Sequence, residues 1–480
     1  MEKTTPQPVQ TQEPRRYWIL LAVGIGTFMS ALDGSVVNTI LPVIQQAFKS
    51  DIATVEWAVT IYLLVVSGLL LTFGRLGDMR GHKMMYIIGF AIFIASSALC
   101  GMSGSPIVLI AFRAVQACGA AMLYANSPAI LTKSFPASQR GRALGLQATM
   151  TYLGLTVGPS LGGFLAEKIS WRAVFYINVP VGLIAMLLSL YFIRKDQGEE
   201  SGVRFDVNGA LLFMSGLVAL LLGLNQGQDW GWGSFPVVGL FAAAVVLLVL
   251  FIRRENRVDN PMLDLSLFKQ RIFSAATASA VFNYVVLYST LFLMPYYLIQ
   301  GRGLNPAQAG LLLTAQPLIM AISAPISGAL SDKIGSRLPA TLGMFILGIG
   351  MFLLSHLGPN TSQGFIVLGL AVSGLGTGIF ISPNTSALMG SAPRNRQGIA
   401  SGVLATARNM GMALGVGLAG AILTTVMARS SLSSSALYDG VNIGFYMAMG
   451  MALLSCLASA VRGSDKKGFV IAPTDTNSNR

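Results

Sequence analysis

Long apolar stretches alternate with short polar connectors along almost the whole chain. A run of about 20 apolar residues, wound as a helix, is long enough to cross the roughly 30 Å hydrocarbon layer of a bilayer. Fourteen stretches have this character, with approximate bounds 17–41, 54–74, 84–103, 106–130, 141–165, 171–193, 207–224, 235–252, 272–299, 305–330, 339–356, 363–386, 397–427 and 440–461. The pattern therefore predicts an all-α membrane protein that crosses the bilayer fourteen times.

The composition agrees with a membrane protein. Only 11% of the 480 residues are charged and 53% are hydrophobic, whereas an ordinary soluble domain has about 25% charged residues. These proportions exclude a soluble globule, a disordered chain and a collagen-like repeat. The cysteines Cys100, Cys118 and Cys456 lie inside apolar stretches without disulfide or metal-ligand spacing, so we expect buried hydrophobic side chains and no bound metal.

The positive charge of the chain indicates orientation in a membrane rather than binding to nucleic acid. The net charge is +13, and most of the 32 Lys and Arg residues fall on alternate connectors. Basic connectors stay on the cytoplasmic side of a membrane, where they face anionic lipid headgroups. The distribution predicts an even number of spans, both termini in the cytoplasm, membrane lipids as partners and no nucleic-acid partner.

An internal repeat divides the chain into two related parts. The pattern G-x-L-x-D-x-x-G-x-basic occurs at 74–83 and at 328–337. The copies are an even number of spans apart, so they share one side of the membrane. Two six-helix bundles in parallel arrangement are the layout of major facilitator transporters. The predicted segments are a disordered tail at 1–14, a six-helix bundle at 15–195, an inserted helix pair with its linkers at 196–270, a second six-helix bundle at 271–462 and a disordered tail at 463–480.

Four motifs carry a family resemblance. They are Asp33–Pro42, Gly74–Lys83, Gly154-x-x-x-Gly158-Pro159-x-x-Gly162-Gly163 and Trp171–Pro180. With these motifs in this order, the sequence resembles the fourteen-helix drug:proton antiporter family of the major facilitator superfamily, the EmrB/QacA type. Met79 and His82 replace arginines that are usual there, and Gly34 is an addition. The resemblance implies a multi-pass protein of the bacterial inner membrane that exports small molecules in exchange for protons.

Asp33 is the one acidic residue near the middle of a predicted span. An isolated carboxylate at that depth costs at least about 2.5 kcal/mol on insertion scales, so we interpret Asp33 as a proton carrier. The alternative is a structural ion pair with Arg113 or Arg408. By resemblance, Arg113 matches a fourth-helix arginine that is implicated in proton transfer, although a purely structural arginine is the alternative. Arg408 is either a third member of the coupling set or a side chain that reaches a headgroup.

Asp78 is expected to close the cytoplasmic end of the protein. Its carboxylate either pairs with Arg80, Lys83, Arg140 or Arg142, or lies at a helix N-terminus, where the dipole favours an anion by about 0.3 to 1 kcal/mol. Simple charge balance of a basic loop is the other interpretation. The predicted cytoplasmic gate residues are Gly74, Asp78, Arg80, Gly81, Lys83, Arg142, Asp332 and Arg337.

The fifth predicted span carries a glycine motif. Its glycines allow a neighbouring backbone to approach closely, and its proline bends the helix. The motif residues are Gly154, Gly158, Pro159, Gly162 and Gly163. The resemblance links this motif to exporters that exchange substrate for protons, whereas packing physics alone gives a kinked contact helix.

The substrate site is expected near the membrane midplane, between the two bundles. Polar or aromatic residues at suitable depth are Asn38, Tyr62, Gln147, Tyr152, Asn283, Tyr284, Tyr288, Gln316 and Asn384. Tyr284 and Tyr288 are one helical turn apart, and a stacked tyrosine pair would suit a lipophilic cation. Packing or lipid contact is the alternative for each of these side chains.

The predicted function is a proton-coupled efflux antiporter that exports amphipathic or cationic small molecules by alternating access. The alternative is a transporter for a specific metabolite, lipid or siderophore. An enzyme is excluded because His82 and His356 lie at opposite sides of the membrane and no nucleophile, metal or phosphate motif is present. We expect the proton as coupling ion, no other cofactor, and a monomer; a periplasmic adaptor is left open.

Overall fold

A computed structural model describes residues 13–50, 52–196, 198, 205–258, 261–429 and 436–462. Regular structure in this part of the chain is helical throughout. Its α-helices are α1 (Glu13–Phe48), α2 (Ile52–Arg80), α3 (His82–Gly101), α4 (Pro106–Ser134), α5 (Arg140–Lys168), α6 (Ala173–Tyr176), α7 (Asn178–Phe192), α8 (Val207–Trp230), α9 (Phe235–Glu255), α10 (Arg271–Pro295), α11 (Pro306–Leu313), α12 (Ala315–Ile334), α13 (Arg337–Leu354), α14 (Gln363–Ser391), α15 (Gln397–Arg429) and α16 (Ala436–Val461). Apart from residues 13 and 14, which begin α1, the two predicted tails lie outside the described residues.

Thirteen segments of the described chain are long and apolar enough to cross a membrane, one fewer than the sequence pattern predicts. The difference is α5, which has 29 residues but whose glycines, threonines and terminal charges lower its hydropathy. This helix packs against α1 and α12, so it needs small residues for close contact more than it needs lipophilic ones. Length and composition therefore give an all-helical membrane fold with thirteen candidate spans.

The two copies of the repeat reverse the chain direction at a glycine. Gly81, between α2 and α3, has φ of 98°, and Gly335, between α12 and α13, has φ of 88°. Residues with a Cβ atom rarely adopt this region. Both glycines occupy the eighth position of the repeated pattern, so the repeat encodes the turn between two consecutive helices.

The inserted pair α8 and α9 is tied together at one end by an ion pair. Asp206 caps α8 by accepting a hydrogen bond from the Gly209 N–H at 3.0 Å, and Nη2 of Arg254 on α9 lies 2.8 Å from its Oδ1. Burial opposes ionisation of Asp206, but the hydrogen bonds from Arg254 and Gly209 hold its pKa below the usual value.

Buried apolar side chains form clusters that follow the order of the helices. One cluster joins α1 to α7 around Phe90 and Phe93, and another joins α10 to α16 around Phe380 and Phe445. A third packs α8 and α9 against α2, α10 and α15, with Phe213 in its interior. The inserted pair therefore lies against helices from both the early and the late part of the chain.

Candidate functional site

Asp33 is fully buried within α1 and is held by three side chains. Nη1 of Arg113 on α4 lies 2.6 Å from its Oδ2. The amides of Gln116 and Asn178 donate to Oδ1 at 3.1 and 2.9 Å. Three donors on the two oxygens are the surroundings of a carboxylate without its proton. Of the two structural partners considered from the sequence, the structure pairs Asp33 with Arg113.

Arg113 connects this pair to several helices. Its Nε donates to the Ala58 carbonyl at 3.2 Å and its Nη1 also donates to Oε1 of Gln116 at 2.7 Å. Gln116 in turn donates to Oγ of Ser97 at 2.6 Å. The guanidinium carbon lies 4.0 Å from the ring centroid of Tyr62, a cation–π contact. The ion pair is thus fixed by residues from α2, α3 and α4, and Tyr62 covers one of its faces.

Asn178 and Ser97 were not among the candidates from the sequence. Asn178 is the first residue of α7, directly after the short helix α6, and its amide is buried against Asp33. The available signal was a polar residue in the first turn of an otherwise apolar helix. Ser97 gave no such signal, because serines in membrane helices commonly bond to their own backbone.

A cavity of about 470 Å³ lies between α1, α2, α4 and α5 on one side and α10, α12, α14 and α15 on the other. Seven of the nine predicted substrate residues line it, namely Asn38, Tyr62, Gln147, Tyr152, Tyr284, Tyr288 and Gln316. Tyr124 also lines it and was not predicted. Gly34 faces it too, and a Cβ atom there would meet no atom within 4 Å. Asp33 and Arg113 lie behind this wall, which Tyr62 and Gly34 help to form.

Two predicted substrate residues lie elsewhere, and one predicted contact is not formed. Asn283 is fully buried, because neighbouring residues on a helix point about 100° apart and Tyr284 takes the direction of the cavity. Asn384 donates to the Ala276 carbonyl at 2.9 Å and accepts from Arg462 at 3.2 Å, so it joins helices. Tyr284 and Tyr288 both reach the cavity, but among the described aromatic contacts none joins their rings.

Arg408 lies in the interior of α15 and lines the cavity. Its guanidinium carbon is 4.7 Å from the ring centroid of Tyr124. The alternative in which Arg408 reaches a lipid headgroup is therefore wrong. Within the described residues it has no hydrogen bond or ion pair.

One end of the helix assembly is closed by Asp78 and Asp332, which we call the latch together with the backbone N–H groups that they bind. Asp78, on α2, accepts hydrogen bonds from the N–H groups of Gly398 and Ile399 at 2.7 and 2.8 Å, at the start of α15. Asp332, on α12, accepts from Gly141 and Arg142 at 2.8 and 3.0 Å, at the start of α5. Each carboxylate thus caps the N-terminus of a helix from the other part of the chain, where the helix dipole favours an anion.

Glycines make this close contact possible in both copies. A Cβ atom on Gly74 would collide with the carbonyl of Gly398, and one on Gly398 with the carbonyl of Gly74. Gly141 and Gly328 exclude each other's Cβ atom in the same way. The latch is therefore duplicated, and each copy joins one repeat motif to the start of a distant helix.

The other predicted gate residues have supporting positions. Lys83 donates through Nζ to the carbonyls of Leu190 and Ile193, each at 2.6 Å, and so holds the end of α7. His82, where arginine is usual in the family motif, lies 3.4 Å from Asp78 through Nε2. The side chains of Arg80, Arg142 and Arg337 are exposed.

Three of the four glycines in the α5 motif face α1. A Cβ atom on Gly154 would lie 2.6 Å from the Phe28 carbonyl, and those on Gly158 and Gly162 would collide with side chains of α1. A Cβ atom on Gly163 would meet nothing within 4 Å. The side chain of Pro159 lies outside the described part. The motif therefore lets α5 and α1 pack at close range.

Comparisons with known proteins agree with this arrangement. A sequence model of the Major Facilitator Superfamily matches residues 23–252, 207–416 and 276–468. Riboflavin transporter RibZ of Clostridioides difficile is 36% identical over 84% of this chain and 87% of its own. Multidrug resistance protein Stp of Mycobacterium tuberculosis is 33% identical over 84% of this chain and 75% of its own. The crystal structure of the human organic anion transporter MFSD10 (TETRAN) matches with a TM-score of 0.66 over 94% of this chain and 100% of that chain, at 15% identity, which establishes a shared fold.

Proposed function

The chain belongs to the Major Facilitator Superfamily, and from this premise we propose that it is a proton-coupled exporter of amphipathic small molecules, of the fourteen-helix drug:proton antiporter (EmrB/QacA) type. It is a multi-pass transporter rather than an enzyme. Multidrug resistance protein Stp supports export as the direction of transport. The proposal places the protein in the bacterial inner membrane as a monomer with both termini in the cytoplasm, with the proton as its coupling ion.

The proposed architecture counts α5 as the fourteenth span. Its 29 residues are long enough to cross the bilayer, and its contacts with α1 and α12 protect its small polar residues from lipid. The duplicated latch supports a division into two six-helix bundles, at 15–195 and 271–462, with the inserted pair and linkers at 196–270 between them. On this proposal, the latch lies at the cytoplasmic end and the closed state gives access to the cavity from outside.

The cavity between the two sets of helices, closed at one end by the latch, is the observation that carries the proposal. Alternating access needs a central site and a gate that opens at modest cost. Each copy of the latch is a carboxylate on a helix N-terminus, worth about 0.3 to 2 kcal/mol. Contacts of this strength can be broken and remade in every transport cycle.

We propose that the Asp33–Arg113 pair couples protons to substrate. Breaking one member of a buried ion pair leaves an uncompensated charge, at a cost of about 3 to 5 kcal/mol. A proton on Asp33 would therefore force Arg113 to find new interactions. Tyr62 contacts Arg113 on one side and lines the cavity on the other, so a rearrangement of this pair reaches the bound substrate through one aromatic ring.

The test is Asp33→Asn in proteoliposomes loaded with a fluorescent dye under an imposed pH gradient. We expect uphill export to be lost and abolished in wild type by an uncoupler, while downhill exchange persists. Glu56→Gln, which neutralises an exposed acid on α2, is the matched control and should behave as wild type. Proton-driven export that survives in Asp33→Asn would refute the coupling role.

A second candidate function is transport of one specific metabolite, lipid or siderophore. The observation that favours it is the 36% identity to riboflavin transporter RibZ. A ligand-induced stability screen on the purified protein separates the two functions. Stabilisation by a single compound class would favour a dedicated transporter, whereas stabilisation by several unrelated amphipathic compounds would favour multidrug export.

A further inference from the structure

The cavity carries a single kind of charge. Among the described residues that line it, Arg408 is the one charged side chain, and no described acid pairs with it. Its contact with Tyr124, at 4.7 Å from the ring centroid, leaves its hydrogen-bond donors available. A guanidinium presents five N–H donors and no acceptor, so it favours a ligand that brings a negative charge.

The buried acid behind the cavity wall does not offset this charge. Asp33 is 2.6 Å from Arg113, and the pair is neutral as a unit. Both oxygens of Asp33 also accept hydrogen bonds from protein side chains. Tyr62 and Gly34 separate this pair from the cavity, so the charge that a ligand meets directly is that of Arg408.

Four further groups on the cavity wall are hydrogen-bond donors without a partner among the described residues. They are the hydroxyls of Tyr62, Tyr152 and Ser401 and the amide nitrogen of Gln316. Each of these side chains is at most 4% exposed. Buried polar groups are nearly always hydrogen-bonded, and a donor left alone costs about 1 to 3 kcal/mol. These groups therefore favour a ligand that is rich in acceptor atoms.

The rest of the wall is aromatic and apolar. Tyr124, Tyr284 and Tyr288 add ring surface, and aliphatic side chains of α5 and α15 complete the lining. The volume of about 470 Å³ falls in the range of about 300 to 1,000 Å³ for small-molecule sites. A ligand of two or three fused rings fits this space, with its acidic group directed at Arg408.

We infer that the cavity binds an amphipathic aromatic anion, whose acidic group pairs with Arg408 and whose acceptor atoms take hydrogen bonds from Tyr62, Tyr152 and Gln316. The inference rests on the proposed export function and narrows its substrate class from amphipathic or cationic compounds to anions. Inward movement of one proton and outward movement of one monovalent anion transfers two charges per cycle. The same exchange with a monovalent cation transfers none.

The test uses two dyes with the same xanthene skeleton, the anion fluorescein and the cation rhodamine 123. Fluorescence anisotropy on the purified full-length protein should give at least about tenfold tighter binding of fluorescein. Arg408→Gln should weaken fluorescein binding at least about tenfold without weakening rhodamine 123, and Arg408→Lys should keep most of the preference for the anion. Arg271→Gln makes the same change at an exposed arginine outside the cavity and should bind both dyes as wild type does.

Several outcomes would overturn the inference. They are tighter binding of rhodamine 123 by the wild type, binding of neither dye, and unchanged fluorescein binding in Arg408→Gln. The wild-type comparison does not depend on any variant folding, and thermal unfolding shows whether each variant is intact.

Transport measurements separate this inference from the proposed function. Proteoliposomes with a fixed pH gradient and a variable membrane potential should export fluorescein faster as the interior becomes more negative. Fluorescein that binds but never moves under a pH gradient would refute the proposed function and leave the site assignment standing. Proton-driven, voltage-insensitive export of rhodamine 123 without fluorescein binding would refute the inference and leave the export function standing.

Discussion

Removal of the charge on Asp78 should release one copy of the latch. The carboxylate is 1% exposed and accepts hydrogen bonds from two backbone N–H groups at 2.7 and 2.8 Å. Asp78→Asn keeps the side-chain shape but offers one acceptor and directs an NH₂ group at the second N–H. A carboxylate at a helix N-terminus contributes up to about 2 kcal/mol when it is shielded from water, and we expect a loss near that value.

The second copy should contribute less. Asp332 accepts hydrogen bonds of 2.8 and 3.0 Å but is only partly buried, so we expect about 1 kcal/mol for Asp332→Asn. The two contacts lie at different helix pairs, and their effects should add. The double variant should then lose about 3 kcal/mol, which shifts the ratio of closed to open states about 100-fold.

Pulsed electron paramagnetic resonance measures this shift. Spin labels at Ser138→Cys and Arg394→Cys, at exposed positions just before α5 and α15, report the separation of the two helices at the latch end, in a background that lacks the three native cysteines. The double variant should populate longer distances, and Asp78→Asn should shift them more than Asp332→Asn. Glu56→Gln is the control. An unchanged distance distribution in the double variant would show that the latch does not hold this end closed.

Other predictions concern packing, the cavity and pH. Gly158→Ala should lower stability by about 1 to 3 kcal/mol, because the new methyl group collides with a side chain of α1, whereas Gly163→Ala should change it by less than about 0.5 kcal/mol; equal losses on thermal unfolding would contradict the packing role. Gly34→Leu should abolish dye binding without changing the unfolding temperature, because this position faces open cavity; retained binding would place the site elsewhere. The lowered pKa of Asp206 gives stability that is complete above its unfolded pKa of about 3.9 and is lost as pH falls through the lower folded value. Arg254→Gln should reduce this acid-dependent loss in unfolding scans, and an identical pH profile would refute it.

Apolar run length located the helices because a span must hide about 20 residues from water. It did not detect the interruptions between α6 and α7 or between α11 and α12, since both sides of each break are apolar. It also overstated the hydropathy of α5, where small residues serve contact with α1 and α12. Burial against protein and burial against lipid produce different compositions, and a hydropathy pattern does not separate them.

Residue chemistry identified the buried acid and most of the cavity wall, but it did not specify partners. Asp33 stood out because a mid-membrane carboxylate is costly, and the choice of Arg113 over Arg408 followed only from the packing of α1 against α4. Asn283 was a false candidate because depth along a helix does not give direction around it. The partners of Asp78 lie more than 300 residues away, so only the folded chain brings them together.

The paired closure has a consequence for how switching proceeds. Two weak fasteners in parallel do not open one after the other with half the motion each, since loss of either leaves the assembly shut by its twin. Only a tilt of the whole assembly frees both at once. The protein therefore behaves as a two-position device with few intermediate stops, although no individual contact at its seam is strong.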